Sequence, residues 1–255
     1  MAGSASVAGR VMLITGGSRG IGAATARLAA QAGYRVGISY RSARIAAEGV
    51  VNEIRRTGGQ ALAVQCDVAD ESDIVALFEA MDREFGRLDA LVNNAGMLDL
   101  QSRVEHMQAA RLQRIFATNV TGSFICAREA IKRMSTLHGG QGGAIVNLSS
   151  IASRLGAPGE YVDYAASKAA IDIFTVGLAK EVAAEGIRVN AVRPGVIHTD
   201  IHASGGEPGR VERVKDSVPM LRGGQAEEVA QAVLWLLSDQ ASYVAGGIVD
   251  VTGGR

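Results

Sequence analysis

Thr15-Gly16-Gly17-Ser18-Arg19-Gly20-Ile21-Gly22 joins a short apolar run, Val11 to Thr15, to an Ala-rich stretch, Ile21 to Ala32. The first run reads as a strand and the second as a helix. Glycines at the join allow a tight turn and let the main chain approach a pyrophosphate. The helix N-terminus then turns free N–H groups and a favourable dipole toward the phosphates. The spacing Gly16, Gly20, Gly22 is wider than G-x-G-x-x-G. It also lacks the Gly-Lys-Ser/Thr ending of a P-loop, which excludes a P-loop ATPase.

Outward from this turn, β-branched runs alternate with helical stretches. Strands are expected at Arg35 to Tyr40, Ala61 to Cys66, Leu88 to Asn93, Ala144 to Ser149, Arg188 to Arg193 and Ile248 to Val251. Helices are expected at Ala43 to Arg56, Ser72 to Phe85, Tyr164 to Ala184 and Gln225 to Ser238, with one long helical region from about Val104 to Leu137. Such alternation predicts an α/β fold: a single-domain, doubly wound parallel sheet (a Rossmann fold) with helices on both faces, spanning residues 1–255. Residues 195–224 resist a regular reading and carry Gly205, Gly206, Pro208, Gly209 and Pro219. A loop of that length reads as a substrate lid rather than a plain surface excursion.

Composition narrows the function classes. Lys plus Arg is 26 and Asp plus Glu is 26 in 255 residues, so no large single-sign field supports nucleic-acid or membrane binding. Cys66 and Cys126 are too few for a disulfide framework and fit a reducing compartment. Met1 to Gly9 carries no Lys or Arg and reads as no secretory leader; the expectation is a cytoplasmic protein without a membrane span.

The second strand ends Tyr40-Arg41-Ser42 without the acid that an NAD site places on the ribose 2′-hydroxyl. Arg41, joined by Arg19, offers guanidinium donors suited to a 2′-phosphate, so NADP(H) is expected over NAD(H), which stays possible. Asp67, after the third strand, reads either as an adenine contact or as a helix-start cap. Tyr164 and Lys168 are four apart in a helical stretch and share a face. Ketone reduction needs a proton delivered to oxygen as hydride reaches carbon. A phenol with a reference pKa of about 10 becomes useful beside an ammonium and a cationic cofactor, which lower that value. Ser149 and Ser150, at the end of the fifth strand, can supply a hydroxyl to the same oxygen. Strand alternation lets only one of them face it.

At these residues the chain resembles the short-chain dehydrogenase/reductase family over essentially its whole length. Thr15–Gly22 matches TGxxxGxG, Asn93-Asn94-Ala95-Gly96 matches NNAG, and Pro194-Gly195 matches the PG motif after the sixth strand. Asn119, Ser150, Tyr164 and Lys168 match the Asn-Ser-Tyr-Lys tetrad. Within the family it resembles bacterial glucose 1-dehydrogenase-like oxidoreductases. The resemblance implies Tyr164 as general acid in reduction and base in oxidation, Lys168 lowering its pKa and holding the nicotinamide ribose, and Ser150 on the substrate oxygen. It implies Asn119 holding a relay water through a helix irregularity. It also implies a cofactor site built from Gly16, Ser18, Arg19, Gly20, Ile21, Gly22, Tyr40, Arg41 and Ser42, with Asp67 and Val68 at the adenine. Asn94, Ala95 and Gly96 would lie at the adenosine ribose, and Pro194, Gly195, Ile197 and Thr199 at the nicotinamide. A homotetramer acting on a small-molecule substrate is implied as well.

Fourteen residues separate Ser150 from Tyr164, one more than family members commonly show. An insertion around Ala157-Pro158-Gly159-Glu160 explains the difference. Tyr161 has no Lys four residues on and reads as pocket lining or packing. His198 and His202 lack a further ligand cluster, so no metal is expected. Trp235 reads as core or subunit interface. Two other functions stay open: a 3-oxoacyl-thioester reductase, with Arg210, Arg213 and Lys215 meeting an acidic carrier, and a catalytically silent NADP(H)-binding sensor.

Overall fold

The seven strands form one parallel sheet in the order β3-β2-β1-β4-β5-β6-β7. They are β1 (Val11–Ile14), β2 (Arg35–Tyr40), β3 (Ala61–Gln65), β4 (Ala90–Asn93), β5 (Gly143–Leu148), β6 (Ile187–Pro194) and β7 (Ile248–Val251). The structure is a computed structural model and describes residues 9–255, so the leader reading of residues 1–8 lies outside the described residues. Helices α1 (Gly20–Gln31), α2 (Arg44–Arg56), α3 (Glu71–Phe85), α4 (Ala109–Phe116), α5 (Gly122–Met134), α6 (Ala152–Leu155), α7 (Val162–Val182), α8 (Ile201–Ser204), α9 (Arg210–Val214) and α10 (Ala226–Leu237) complete the chain.

Both sheet faces are buried, which is why the strands read as near-continuous apolar runs. The register shows the alternation: Leu13 pairs with Leu91, Leu91 with Ile145 and Ile145 with Val189. All four point into one core, with Leu77 and Phe78 of α3, Met134 of α5 and Val182 of α7. Ile14, Ile38, Val92 and Val146 point into the other, against Ala26 of α1, Val50 and Ile54 of α2, and Val233 and Leu236 of α10. Chain order reverses between β1 and β4, which opens a crevice at the carboxyl ends of the strands.

The helix expected from about Val104 to Leu137 is instead five pieces. A 3₁₀ turn (Val104–His106) precedes α4, a π turn (Ala117–Thr121) separates α4 from α5, and a second 3₁₀ turn (Thr136–His138) ends the run. Gly122 sits where a Cβ would lie 2.4 Å from the Val68 carbonyl, so α5 packs directly on the main chain after β3. Residues 195–224, expected as an irregular loop, are not structureless: α8 and α9 lie within them. Beneath the crevice a buried polar chain crosses three elements. Asn93 Nδ2 donates to Asn147 Oδ1 at 2.9 Å, and Asn147 Nδ2 donates to Thr175 Oγ1 of α7 at 2.9 Å. It fixes α7 against β5 through directional bonds that slipping would leave unmade.

Candidate active site

The crevice is a cleft of about 810 Å³ running from the Gly-rich turn to α8. It brings together every sequence-predicted site residue except two. Gly16, Ser18, Arg19, Gly20, Ile21, Tyr40, Arg41, Ser42, Asp67, Val68, Asn94, Ala95, Gly96, Ser150, Tyr164, Lys168, Pro194, Gly195, Ile197 and Thr199 all line it. Gly22 and Asn119 lie behind its wall.

At one end, α1 begins at Gly20 with no side-chain cap on its first turn and no acidic residue there. Its N-terminus therefore suits an anion. Gly16 and Gly20 take positive φ of 66° and 54°, the backbone region glycine reaches without strain. A Cβ on Gly22 would stand 2.5 Å from both the Gly16 carbonyl and Asn94 Nδ2. That side chain is itself fixed, donating to the carbonyls of Thr15 and Gly16 at 2.8 and 2.9 Å. Gly22→Ala is expected to destabilise the fold by about 1–3 kcal/mol through overpacking and to weaken dinucleotide binding with it. Thermal unfolding with and without cofactor measures both.

Arg19 and Arg41 are exposed at this end, and neither enters an ion pair among the described residues. No acid replaces them at the end of β2. Asp67 is not the cap of α3: Asp70 takes that place, accepting from the N–H groups of Ser72 and Asp73. Asp67 instead borders the cleft, its Oδ1 accepting from the Ala69 N–H at 3.0 Å. Of the two open readings, the cap falls away.

At the other end, Tyr164 and Lys168 stand one turn apart on α7, with Lys168 Nζ 5.6 Å from the Tyr164 ring centroid. The serine ambiguity resolves. Ser149 is buried and its hydroxyl donates to the Lys168 carbonyl at 3.1 Å, whereas Ser150, whose Oγ accepts from the Ala152 N–H at 3.2 Å, lines the cleft beside Tyr164. Asn119 lies in the π turn with its side chain fully engaged. Its Oδ1 accepts from the Met97 N–H at 2.8 Å, and its Nδ2 donates to the Met97 carbonyl and Ser167 Oγ at 3.1 and 3.0 Å. The side chain thus braces the strand end after β4 against α7.

Electrostatics here differ from the sequence expectation in one respect. Burial pushes the Tyr164 phenol above its ordinary value, and the nearby Ser150 hydroxyl only partly offsets it. Lys168 is itself buried and pushed down to about 8, with Asp172 pulling weakly the other way. Its ammonium donates to the Leu148 carbonyl at 2.6 Å. The resting phenol is therefore protonated at neutral pH, the state a proton donor requires. The lowered phenol expected from sequence needs a further positive charge beyond this pair.

The lowered Lys168 also costs stability. Its folded value lies below the unfolded one, so the unfolded chain binds more protons between about pH 8 and 10.5, and stability rises with pH across that window. The cost is on the order of 3 kcal/mol, less about 1 kcal/mol for the lost bond to Leu148. Lys168→Met is expected to raise the melting midpoint of the cofactor-free protein at pH 7. The gain should shrink as pH climbs from 8 toward 10.5, as differential scanning at several pH values reads.

Several contacts around the cleft join segments distant in sequence. Thr15 Oγ1 accepts from the N–H groups of Asn94 and Ala95 at 3.0 Å each, clamping β1 to the end of β4. Glu160 meets Arg210 at 2.5 Å and Arg213 at 2.9 Å, tying the inserted loop to α9, and Glu207 joins both arginines. The Arg210 guanidinium covers the Tyr161 ring at 5.1 Å, and the Tyr161 hydroxyl donates to the Gly205 carbonyl at 3.1 Å. His202 Nε2 lies 2.9 Å from the Ile197 carbonyl. Among the described residues no group of His, Cys, Asp and Glu could hold a metal ion, and no helix is long and apolar enough to cross a membrane.

This geometry has counterparts among known proteins. The family profile described as Enoyl-(Acyl carrier protein) reductase matches residues 16–255. The uncharacterized oxidoreductase YgfF of Escherichia coli is 61% identical over 96% of this chain and 99% of its own length. A 3-oxoacyl-[acyl-carrier-protein] reductase of Synechocystis is 39% identical, covering 96% of each chain. A short-chain dehydrogenase of Burkholderia cenocepacia, solved in complex with NADP, superposes with a TM-score of 0.90 at 30% identity, over 98% of this chain and 99% of that one. With a family profile over residues 16–255, relatives of this similarity over nearly the whole chain and the same fold in solved relatives, the chain belongs to the short-chain dehydrogenase/reductase family and is an NAD(P)-dependent oxidoreductase of CH–OH or carbonyl groups.

Proposed function

We propose that this protein is an NADP(H)-preferring reductase of a small carbonyl compound, or dehydrogenase of the matching secondary alcohol. The observation that carries the reading is the shared cleft: Tyr164, Ser150 and Lys168 at one end, unpaired Arg19 and Arg41 at the other. The cofactor supplies the hydride when bound. Ser150 orients the carbonyl oxygen. Tyr164 gives that oxygen its phenolic proton as the carbon is reduced, and takes a proton back when the alcohol is oxidised. Lys168 holds positive charge beside the phenol and would hold the nicotinamide ribose of a bound cofactor. Asn119 braces the wall opposite; a relay water would meet its main chain, since its side chain is occupied. Residues 1–255 act as one domain with 195–224 as the lid, in a cytoplasmic homotetramer.

NADP(H) preference is supported by Arg19 and Arg41, by the absence of an acid after β2, and by the NADP complex of the Burkholderia relative. The 3-oxoacyl-thioester reading draws on the name of the Synechocystis relative. Its basic patch is absent as a free surface, because Arg210, Arg213 and Lys215 each pair with an acid. The sensor reading leaves the buried phenol without a task. Fluorescence titration with NADPH and NADH tests the reading: NADPH is expected to bind at least tenfold more tightly. Equal affinities, or tighter NADH, would remove the 2′-phosphate assignment.

A further inference from the structure

The catalytic helix α7 begins without a side-chain cap from Tyr161. The orphan N–H of Tyr164 is satisfied instead by its neighbour: Asp163 Oδ1 accepts from it at 2.9 Å. Asp163 is a full carboxylate with a side chain 0% exposed. A buried charge of this kind is tolerated only with a partner. That partner is Arg111 of α4, 52 residues away in sequence, whose Nε donates to Asp163 Oδ2 at 2.6 Å and whose side chain is 11% exposed.

The same guanidinium has a second arm. Arg111 NH1 donates to the Leu100 carbonyl at 2.6 Å. Leu100 closes the segment after β4 whose Met97 and Leu98 line the cleft. One planar fork therefore spans two walls of the site, the helix start that carries Tyr164 and the chain that carries Leu98. A planar fork can hold both at fixed separation; an ammonium on a flexible stem cannot.

We infer that Arg111 is a positioning residue: acting through Asp163, it sets where the Tyr164 phenol stands relative to the Leu98 wall of the substrate cleft. The inference rests on the proposed role of Tyr164 in proton transfer. Arg111 does not line the cleft. Its two arms make separable contributions. The Asp163 arm governs the placement of Tyr164 and hence kcat. The Leu100 arm governs the opposite wall and hence KM.

The test compares wild type with Arg111→Met and Arg111→Lys, using NADPH and ethyl acetoacetate as probes. In Arg111→Met, kcat is expected to fall between ten- and a hundredfold, since small misplacements of a reacting group cost that much. NADPH affinity should stay within about twofold, because the Gly-rich turn and Arg41 lie at the far end of the cleft. Arg111→Lys keeps a cation against Asp163 and loses the fork. It should recover kcat to within about threefold of wild type while KM stays raised about tenfold. A merely structural role would instead lower kcat and NADPH binding together in both variants, and that result overturns the inference, as does a folded Arg111→Met with wild-type kcat.

Hydrogen exchange of the peptide carrying Tyr164 gives a readout without turnover. The Tyr164 N–H is expected to exchange about tenfold faster in Arg111→Met, with α10 unchanged. Unchanged exchange at Tyr164 overturns the inference. If wild type fails to reduce the ketoester, the reaction assigned to Tyr164 with that probe fails, and the exchange result alone decides whether Arg111 positions the helix start. If Arg111→Met does not fold, Arg111→Lys carries the test through its split between kcat and KM.

Discussion

Tyr164→Phe is expected to lower turnover by about a thousandfold, equivalent to about 4 kcal/mol of transition-state stabilisation, while leaving NADPH affinity within about threefold. The substitution removes one oxygen. The side chain that carries it lines the cleft with Ser150 and Lys168. Burial holds it protonated, so at neutral pH the wild-type donor is fully charged with its proton in the reduction direction. Phenylalanine keeps the ring and its packing, and the melting midpoint should stay close to wild type. Carbonyl reduction then has no group to protonate the developing alkoxide. The check is a pair of measurements on one preparation, steady-state turnover and cofactor titration. A variant that keeps turnover within tenfold would show that another group, such as water ordered by Ser150, supplies the proton.

Arg41→Asp carries the second large effect: NADPH binding is expected to weaken about a hundredfold, with NADH binding unchanged or tighter. Guanidinium–phosphate bonds are charge-assisted and bidentate, and a carboxylate in the same place repels the phosphate. The same carboxylate can accept from a ribose 2′-hydroxyl, which NADH offers. Arg41 is exposed and has no acid partner among the described residues, so the substitution breaks no internal ion pair. Adding Arg19→Ala should extend the loss for NADPH alone. Isothermal titration with both cofactors reads the ratio. Equal loss of both would mean that Arg41 orders the turn rather than reading the phosphate.

Much of this site is legible in sequence because its signals are local. The bounds expected for β2 and β7 coincide with the observed Arg35–Tyr40 and Ile248–Val251. Tyr164 and Lys168 share a face because one helical turn places them so, and the Gly-rich turn sits where strand and helix periodicities meet. What sequence leaves open depends on contacts between distant segments. Alternation allows either Ser149 or Ser150 to face the phenol; the bond of Ser149 to the Lys168 carbonyl decides it. The break at Asn119 has no periodic signature, since apolar positions continue on both sides of the π turn. Helices α8 and α9 span four and five residues, too short to show a helical period. The pairs Arg111–Asp163 and Glu160–Arg210 join residues 52 and 50 apart, and each member alone reads as an ordinary surface charge. The pKa of Tyr164 turns on burial, which residue spacing does not report.

Cofactor consumption by the wild-type protein across a carbonyl panel, with the alcohol product identified, tests hydride transfer most directly. The panel should hold simple ketones, β-ketoesters, an acetoacetyl thioester and aldoses in the oxidative direction. The expected result is NADPH-dependent reduction of at least one free carbonyl, one alcohol formed per NADPH consumed, at ten or more times the efficiency with NADH. Tight NADPH binding with no consumption on any member would contradict the reductase reading and leave a cofactor-binding protein in its place.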